Sequence, residues 1–461
     1  MHCDLIIIGA GPAGMAAAAT AAQIGLTVVV LDEQPRPGGQ IYRDVDRVAP
    51  LRGDILGRDF TEGTALTAGL DHPNIHHIAG AVVWSVEEAV SVHYTRAGQS
   101  HRVTGKRILL ATGALERPMP LPGWTLPGVM TVGAGQIMLK QSGLVSARAV
   151  LVGAGPLLYL LAVQMLRAGA PPLALVETQT KGDALRAIRH VLGALHGWRD
   201  LRNGLAMLYE LWRGGVPRYL AATDIAIEGA AHAEALRFVS GGKAHRIAAG
   251  SVFLHHGVVP NTQAARTIGI AHRWDAGQAC FAPELDVWGQ TAVKTVFIAG
   301  DGARIGGAKV ARVAGALAAL QIAQQLGRIT APQRDQKARS LVRRLQAERA
   351  IRPFLDAAYP PMAQALSPQD NTIVCRCEEV TAGDIRRSAQ LGCLGPNQAK
   401  AFCRAGMGPC QGRYCGLTVS AVLAQENMRS MGETGYFRIR SPIKPVTLAE
   451  LASAEDTQGH E

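Results

Sequence analysis

Apolar and polar positions along the chain fall into phrases that recur. Residues 4–8 (D-L-I-I-I) form a short apolar run that enters Gly9-Ala10-Gly11-Pro12-Ala13-Gly14. An alanine-rich stretch to Ile24 follows, then T-V-V-V-L-D, ending at Asp32. That order predicts strand, glycine turn, helix and strand within about thirty residues. Residues 81–110 read as short strands with turns and close on R-I-L-L-A-T-G-A. The grammar then repeats. Residues 148–152 (R-A-V-L-V) enter Gly153-Ala154-Gly155-Pro156-Leu157-Leu158, then a helix, then L-A-L-V-E ending at Glu177. A helical insert is expected over roughly 181–213, a hairpin around Gly241–Gly242, and a strand over S-V-F-L-H-H-G. The last phrase sits where A-T-G-A sits in the first half. A final strand and helix over 291–320 return to the first unit.

The pattern predicts an α/β chain with two Rossmann-like nucleotide-binding domains, the second inserted in the first. The expected boundaries are 1–147 with 266–330 for the first domain and 148–265 for the second. Residues 331–370 read as a linker with one helix, 371–430 as a small cysteine-rich module, and 431–461 as a docking tail carrying S-P-I-K-P.

Composition narrows the class. The chain has 461 residues, 48% hydrophobic and 18% charged, so it folds rather than staying disordered. Aromatics are 5%, which argues against stacking platforms for single-stranded nucleic acid. The net charge of +11 is scattered, so no nucleic-acid partner is expected. The run Arg334–Arg352 is either a solvated basic helix or a docking face for an acidic partner. No signal peptide and no apolar run of membrane-spanning length is read, which suggests a cytoplasmic protein. Peripheral association with the inner face of the cytoplasmic membrane stays open. Eight cysteines without a secretion signal argue against a disulfide framework.

The first glycine loop has mechanical content. Gly9 permits the tight turn, Gly11 lets a pyrophosphate approach the backbone, and Gly14 lets the helix lie close to the sheet. The helix start at Pro12 and Ala13 supplies N–H donors and partial positive charge. Asp32 ends the next strand, where an acid accepts hydrogen bonds from ribose hydroxyls; Glu33 competes for that role. Two distant segments favour FAD over NAD. In Ala111-Thr112-Gly113-Ala114 a returning strand brings backbone close to the dinucleotide. In Phe297-Ile298-Ala299-Gly300-Asp301-Gly302 an aspartate after a buried strand suits a ribitol or phosphate oxygen. These segments resemble the two-dinucleotide-domain flavoproteins, the fold type of glutathione and thioredoxin reductases. Pro37-Gly38-Gly39-Gln40 also matches that family's loop near the isoalloxazine. The resemblance covers 1–330, and it implies that Asp32 and Asp301 bind the ribose and the phosphoribityl chain of FAD.

The second loop, with Gly153 and Gly155, has leucine where the third glycine is expected, so helix and sheet should lie further apart. Glu177 suits a ribose diol rather than a 2′-phosphate. Bound NAD, a bound adenine nucleotide such as ATP, or a vestigial structural fold all remain open. No C-x-x-C lies in 1–330, so the dithiol relay of a disulfide reductase is absent. Cys280 reads as a packed thiol. His255 and His256 point to opposite faces of a strand, as polar lining near the flavin or as a proton-transfer pair.

The strongest local signal is Cys375-Arg376-Cys377 followed by Cys410-Gln411-Gly412-Arg413-Tyr414-Cys415. Four thiolates in two close pairs suit an iron–sulfur cluster, with zinc or free thiols as alternatives. Gly406, Gly408 and Gly412 keep the loop open. Arg376, Arg404 and Arg413 would offset thiolate charge. Cys393 and Cys403 are expected on helices, away from the ligands. The segment resembles the [2Fe–2S] module of bacterioferritin-associated ferredoxin.

The combination resembles the large (A or alpha) subunit of the opine oxidase and hydroxyproline/proline dehydrogenase family. One subunit of the cyanide-forming glycine dehydrogenase is a relative. The matching phrases include P-G-G-Q-I-Y-R at 37–43, C-R-C-E-E-V-T at 375–381 and R-A-G-M-G-P-C-Q-G-R-Y-C at 404–415. The resemblance implies a partner flavoprotein similar to D-amino-acid oxidases; a further candidate is a small ferredoxin-like third subunit. It implies an opine or amino-acid substrate oxidised with that partner, and electrons carried onward by this chain. No arginine–tyrosine pair for gripping a substrate carboxylate is evident in the sequence.

Overall fold

A computed structural model describes residues 1–454. The last seven positions of the expected docking tail lie outside the described residues. The first sheet is built from the predicted βαβ unit. Strands His2–Ile8, Val28–Asp32 and Ile75–Ala79 run parallel, with one apolar face packed on the helices Pro12–Gln23 and Ala308–Gln325 and the other on Val83, Val86, Val92 and Val103. The long strand Gln99–Leu110 does two jobs. Its first half pairs antiparallel with Ser91–Arg96, which pairs in turn with Val82–Glu87. Its second half lies between His2–Ile8 and Val296–Ile298, parallel to both. The strand at 296–298 thus closes the first sheet from the far end of the chain, as the sequence pattern predicts.

The second sheet holds Ala149–Gly153, Ala174–Glu177, Arg218–Tyr219 and Ser251–His255. It also holds Val129–Thr131, parallel to Ser251–His255. The helix Val132–Ser142 follows directly, its N-terminus capped by the Thr131 hydroxyl, which accepts from Ala134 N. The second fold therefore starts well before residue 148, contrary to the boundary expected from the glycine loop. A three-residue strand beside Gly128 carries too little periodicity to be read. The chain crosses between the folds on a short antiparallel ribbon, Ala114–Glu116 with Val258–Pro260.

The helical insert divides into Lys181–Ile188, Val191–His196 and Trp198–Arg213, and the hairpin turns at Gly241–Gly242. The expected linker is mostly helix: Ala331–Arg349, Arg352–Ala358 and Ala363–Leu366. The first of these places Ala338 and Leu345 against Val313, Leu317 and Leu320 of the helix Ala308–Gln325. The basic run is therefore one wall of a packed helix pair. The cysteine-rich module folds as Ala382–Gln390, Pro396–Cys403 and Gly416–Glu426 behind a small antiparallel strand pair. Cys403 ends a helix as expected, whereas Cys393 sits in the irregular link between Ala382–Gln390 and Pro396–Cys403. Val374, Val419 and Val422 of this module join Val92, Val103 and Ile268 in one continuous core, so the module is fused to the first domain.

The helix Pro12–Gln23 crosses Ala308–Gln325 at Gly315, where a Cβ would stand 2.0 Å from the Ala13 carbonyl oxygen. Gly315→Ala is expected to destabilise the first domain by about 1–3 kcal/mol through overpacking. Thermal unfolding of the two forms checks this.

Candidate functional site

Four sequence segments that are far apart in the chain meet at the end of the first sheet. A Cβ on Gly9 would stand 2.5 Å from the Ala111 carbonyl oxygen. One on Gly39 would stand 2.9 Å from Gly11 Cα, and one on Gly300 would stand 2.8 Å from Ala13 Cβ. Gly302 lies against Thr112 Oγ1 and Gly113. Only glycine permits this backbone-on-backbone approach, and Gly9, Gly39, Gly113 and Gly300 all have positive φ. The helix beginning at Pro12 has no side-chain cap, so its first N–H groups face the junction unspent. The loop after Pro37 hangs from it, with Gly38 N donating to the Ala10 carbonyl at 2.8 Å. This cradle fits the pyrophosphate and ribityl parts of FAD.

The two candidate acids sit in different surroundings. Asp32 is buried and its two oxygens accept from Ala10 N at 2.5 Å and Gln34 N at 2.7 Å. It braces the glycine loop. Glu33 is exposed and meets the Lys444 ammonium at 2.8 Å. Each Asp32 oxygen accepts a single bond and keeps a second lone pair, while Glu33 is engaged by Lys444, so both acids keep capacity for a ribose hydroxyl. Asp301 uses Oδ1 to accept from Gly306 N and Gly307 N at 2.8 and 2.9 Å, while its Oδ2 makes no hydrogen bond among the described residues.

Sequence reasoning missed Lys140. This side chain is 2% exposed and donates to the carbonyls of Gln40 and Ile41 at 3.1 and 2.8 Å and to Gln136 Oε1 at 2.9 Å. It comes from the second fold and pins the flavin-side loop of the first. Burial, with Arg43 nearby, pushes its pKa down to about 7. Its only sequence signal is a lysine one turn beyond Gln136 in an otherwise apolar helix.

The second glycine loop is differently surrounded. Gly153 packs directly on the His255 carbonyl, and the His255 ring lies beside Gly155. His255 Nδ1 meets Glu116 Oε1 at 2.6 Å. His256 bonds the other way: its Nε2 lies 2.7 Å from the Pro118 carbonyl and its Nδ1 accepts from Met362 N. Glu177 is fully buried. It accepts from Tyr159 Oη at 2.5 Å, from Arg218 Nε at 2.6 Å and from Gln179. Tyr359, from the region expected to be a linker, packs edge-on against Tyr159. The acid expected to read a ribose diol is thus enclosed by the chain's own side chains.

The four cysteines gather in the C-terminal module. All four thiols are free: Cys375 and Cys415 are buried and neighbour each other, while Cys377 is exposed, Cys410 is half-buried and these two are likewise neighbours. The contact with Cys415, aided by N–H groups of Gly406, Glu378 and Cys377, pulls the Cys375 pKa down to about 6. A Cβ on Gly408 would meet Cys377 Cβ at 2.2 Å. Among the described residues, no three His, Cys, Asp or Glu side chains are arranged around a single ion. Two facing thiol pairs with backbone donors aimed at sulfur fit a binuclear cluster better than one metal. The loop is closed by the tail: Phe437 fills the notch left by Gly406 and Gly412, and Tyr436 Oη donates to the Gly412 carbonyl at 3.0 Å. Arg413 donates to the Ile443 carbonyl at 2.8 Å.

A short segment joins the two centres. Asn261 N donates to the Gly113 carbonyl at 3.0 Å, and Gln263, two residues on, reaches the Gln411 carbonyl at 3.4 Å. Beside it a small cavity is lined by Pro260, Gln263, Arg266, Arg413 and Tyr436. Arg266 lies over the Tyr436 ring at 4.4 Å, an arginine–tyrosine contact too distant in sequence to be read. Cys280 is buried, and burial pushes its thiol up to about 12, as suits a packed cysteine. No described helix is long and apolar enough to cross a membrane.

Two dinucleotide folds, a glycine cradle for FAD and no dithiol beside it define a flavoprotein oxidoreductase joined to a four-thiol module. Residues 3–325 match the pyridine nucleotide-disulphide oxidoreductase family, and residues 369–455 match the sarcosine oxidase A3 domain. The A subunit of opine oxidase from Rhizobium meliloti (strain 1021) is 43% identical, over 97% of this chain and 98% of that protein. Its counterpart from Agrobacterium tumefaciens (strain Ach5) is 44% identical, over 98% of this chain and 92% of that protein. Among solved structures, L-proline dehydrogenase from P. horikoshii has the same fold, with a TM-score of 0.70 at 19% identity over 98% of this chain and 79% of that one. The chain belongs to the family of opine oxidase A subunits, which are flavin oxidoreductases.

Lys140→Met leaves the Gln40 and Ile41 carbonyls without their donor and is expected to cost about 1–3 kcal/mol. The sign with pH follows from the lowered pKa. Between about 7 and the ordinary lysine value the unfolded chain holds the extra proton, so this residue's contribution to stability rises with pH there and is level below about 7. Denaturant unfolding of both forms across that window, with FAD content measured in parallel, tests it.

Proposed function

We propose that the chain is the FAD- and [2Fe–2S]-carrying subunit of a heteromeric dehydrogenase. Its substrates would be opines or amino acids with a secondary amine, the octopine, nopaline, hydroxyproline or proline class. A partner subunit similar to D-amino-acid oxidases takes hydride from the carbon next to the amine, and this chain relays the electrons to an external acceptor. FAD accepts electrons in pairs, and a cluster passes them singly. The observation that carries the reading is the Asn261–Gln263 segment, which bonds the flavin-side backbone with one residue and the cysteine loop with another.

Each candidate residue has a role in this reading. Gly9, Gly11 and Gly14 admit the pyrophosphate, Asp32 or its neighbour Glu33 takes the ribose, and Asp301 offers Oδ2 to the ribityl chain. Gly39 and Gln40 form the loop that Lys140 holds in place. Cys375, Cys377, Cys410 and Cys415 ligate the cluster, with the outer pair nearest to an acceptor. Full-length identity to opine oxidase A subunits supports an amine substrate and a partner subunit. The enclosure of Glu177 counts against a stand-alone NADH-dependent reductase, because the adenosine end of NADH would lack its acid.

Three measurements test this. The purified chain is expected to turn over octopine or hydroxyproline at a small fraction of the rate reached with its partner, and full-rate turnover by the chain alone would refute the relay role. Excess NADH is expected to leave the flavin band unbleached on the turnover timescale. Cys377→Ser should remove the broad iron–sulfur absorbance and bound iron while the flavin spectrum persists. Retention of both would remove that cysteine from the ligand set.

A further inference from the structure

The three helices of the insert stand on the second fold, and nothing described above uses them. The longest, Trp198–Arg213, buries Leu211 in the second domain's core, with Met207 and Leu208 packed beside it. Its opposite side is not polar, as a solvent-facing helix side would be. Trp198, Leu205, Tyr209 and Trp212 are exposed there, Leu205 at 68% and Trp212 at 72%. With Arg202 they follow alternating spacings of four and three residues, the seam of a heptad. At ~1.5 Å per residue the helix presents this seam along roughly 24 Å.

The charges are arranged around the seam. Asp200 turns to Lys309 at 3.0 Å and Glu210 to Arg167 at 2.7 Å, so both acids of the helix are neutralised by the body of the protein. Arg199 and Arg202 lie over the Trp198 ring at 5.6 and 5.3 Å. Neither they nor Arg213 has an acidic partner among the described residues. The outward face is therefore an apolar stripe flanked by uncompensated cations.

We infer that this seam docks an amphipathic helix of the partner subunit, one whose own apolar stripe is flanked by aspartate and glutamate. The inference rests on the reading of the chain as one subunit of a heteromer. A narrow heptad seam matches a helix, whereas a lipid surface takes a broad apolar face. Tryptophan, tyrosine and arginine are the side chains that anchor protein interfaces. A second copy of this chain would bring the same arginines against one another, which opposes self-pairing.

Binding of the flavin-loaded chain to the separately purified D-amino-acid-oxidase-like subunit tests the surface. The double variant Leu205→Glu/Trp212→Glu is expected to bind about tenfold more weakly or worse, with flavin absorbance and melting temperature unchanged. Arg202→Glu/Arg213→Glu is expected to weaken binding and flatten its salt dependence. If wild type and both variants bind alike, the surface is wrong while the proposed function stands. If wild type does not bind the partner at all, both fail. A wild-type dimer dissolved by the Leu205/Trp212 variant, or binding to vesicles of anionic phospholipid abolished by it, with partner affinity unchanged, also overturns the inference.

Discussion

The first domain depends on a contact that excludes side chains. Gly9 lies on the Ala111 carbonyl, Gly14 on the Gly9 carbonyl, Gly39 on Gly11 and Gly300 on Ala13, all at distances a Cβ could not share. Gly315 extends the same contact into the helix Ala308–Gln325. Segments as far apart in the chain as Gly9 and Gly315 must therefore return to one place. A whole second fold is inserted between them, and the two crossings are made on a single ribbon, Ala114–Glu116 with Val258–Pro260. The ribbon keeps both excursions in register, so Thr112 and Asn261 meet beside the cradle.

The thiol module is tied to that cradle rather than appended to it. It shares one apolar core with the three-stranded part of the first sheet. Its cysteine loop is clamped twice by the tail, through Phe437 in the glycine notch and through Arg413 on the Ile443 carbonyl. Ile443 N in turn donates to the Trp84 carbonyl of the first sheet at 2.8 Å, and Lys444 reaches Glu33. The chain from Tyr436 to Lys444 thus runs from the cysteine loop to Glu33, next to the end of the strand Val28–Asp32.

The glycine loops, the returning strands and the four cysteines are legible in the sequence because each carries a local signature: a positive φ that glycine tolerates best, an apolar run, a metal-ligand spacing. The strand Val129–Thr131 is not, since three residues carry no period and its membership depends on a distant partner, Ser251–His255. Lys140 is hidden for the same reason: burial of a lysine is a property of what surrounds it, here Gln40 and Ile41 from another domain. That Asp32 braces the glycine loop depends on which backbone donors reach its carboxylate, which spacing does not encode. Of the helices in the expected linker one is read; the shorter Arg352–Ala358 and Ala363–Leu366 stay hidden because seven and four residues carry little helical period.

The second fold keeps the glycine turn and the strand-end acid of a nucleotide-binding architecture, and both are engaged by the chain's own groups. Its glycine turn persists because Gly153 must pass over the His255 carbonyl, a packing demand that exists with or without a ligand. Its strand-end acid persists as well, yet Glu177 now meets Arg218 and Tyr159 with no exposed surface. Uncovering this carboxylate would disturb its bonds to Tyr159 and to the partly exposed Arg218. Tyr359 and Met362 then cover the same edge from the following segment. What the fold supplies is a rigid platform: it presents Lys140 to the flavin-side loop, and it carries the helices whose apolar seam faces outward.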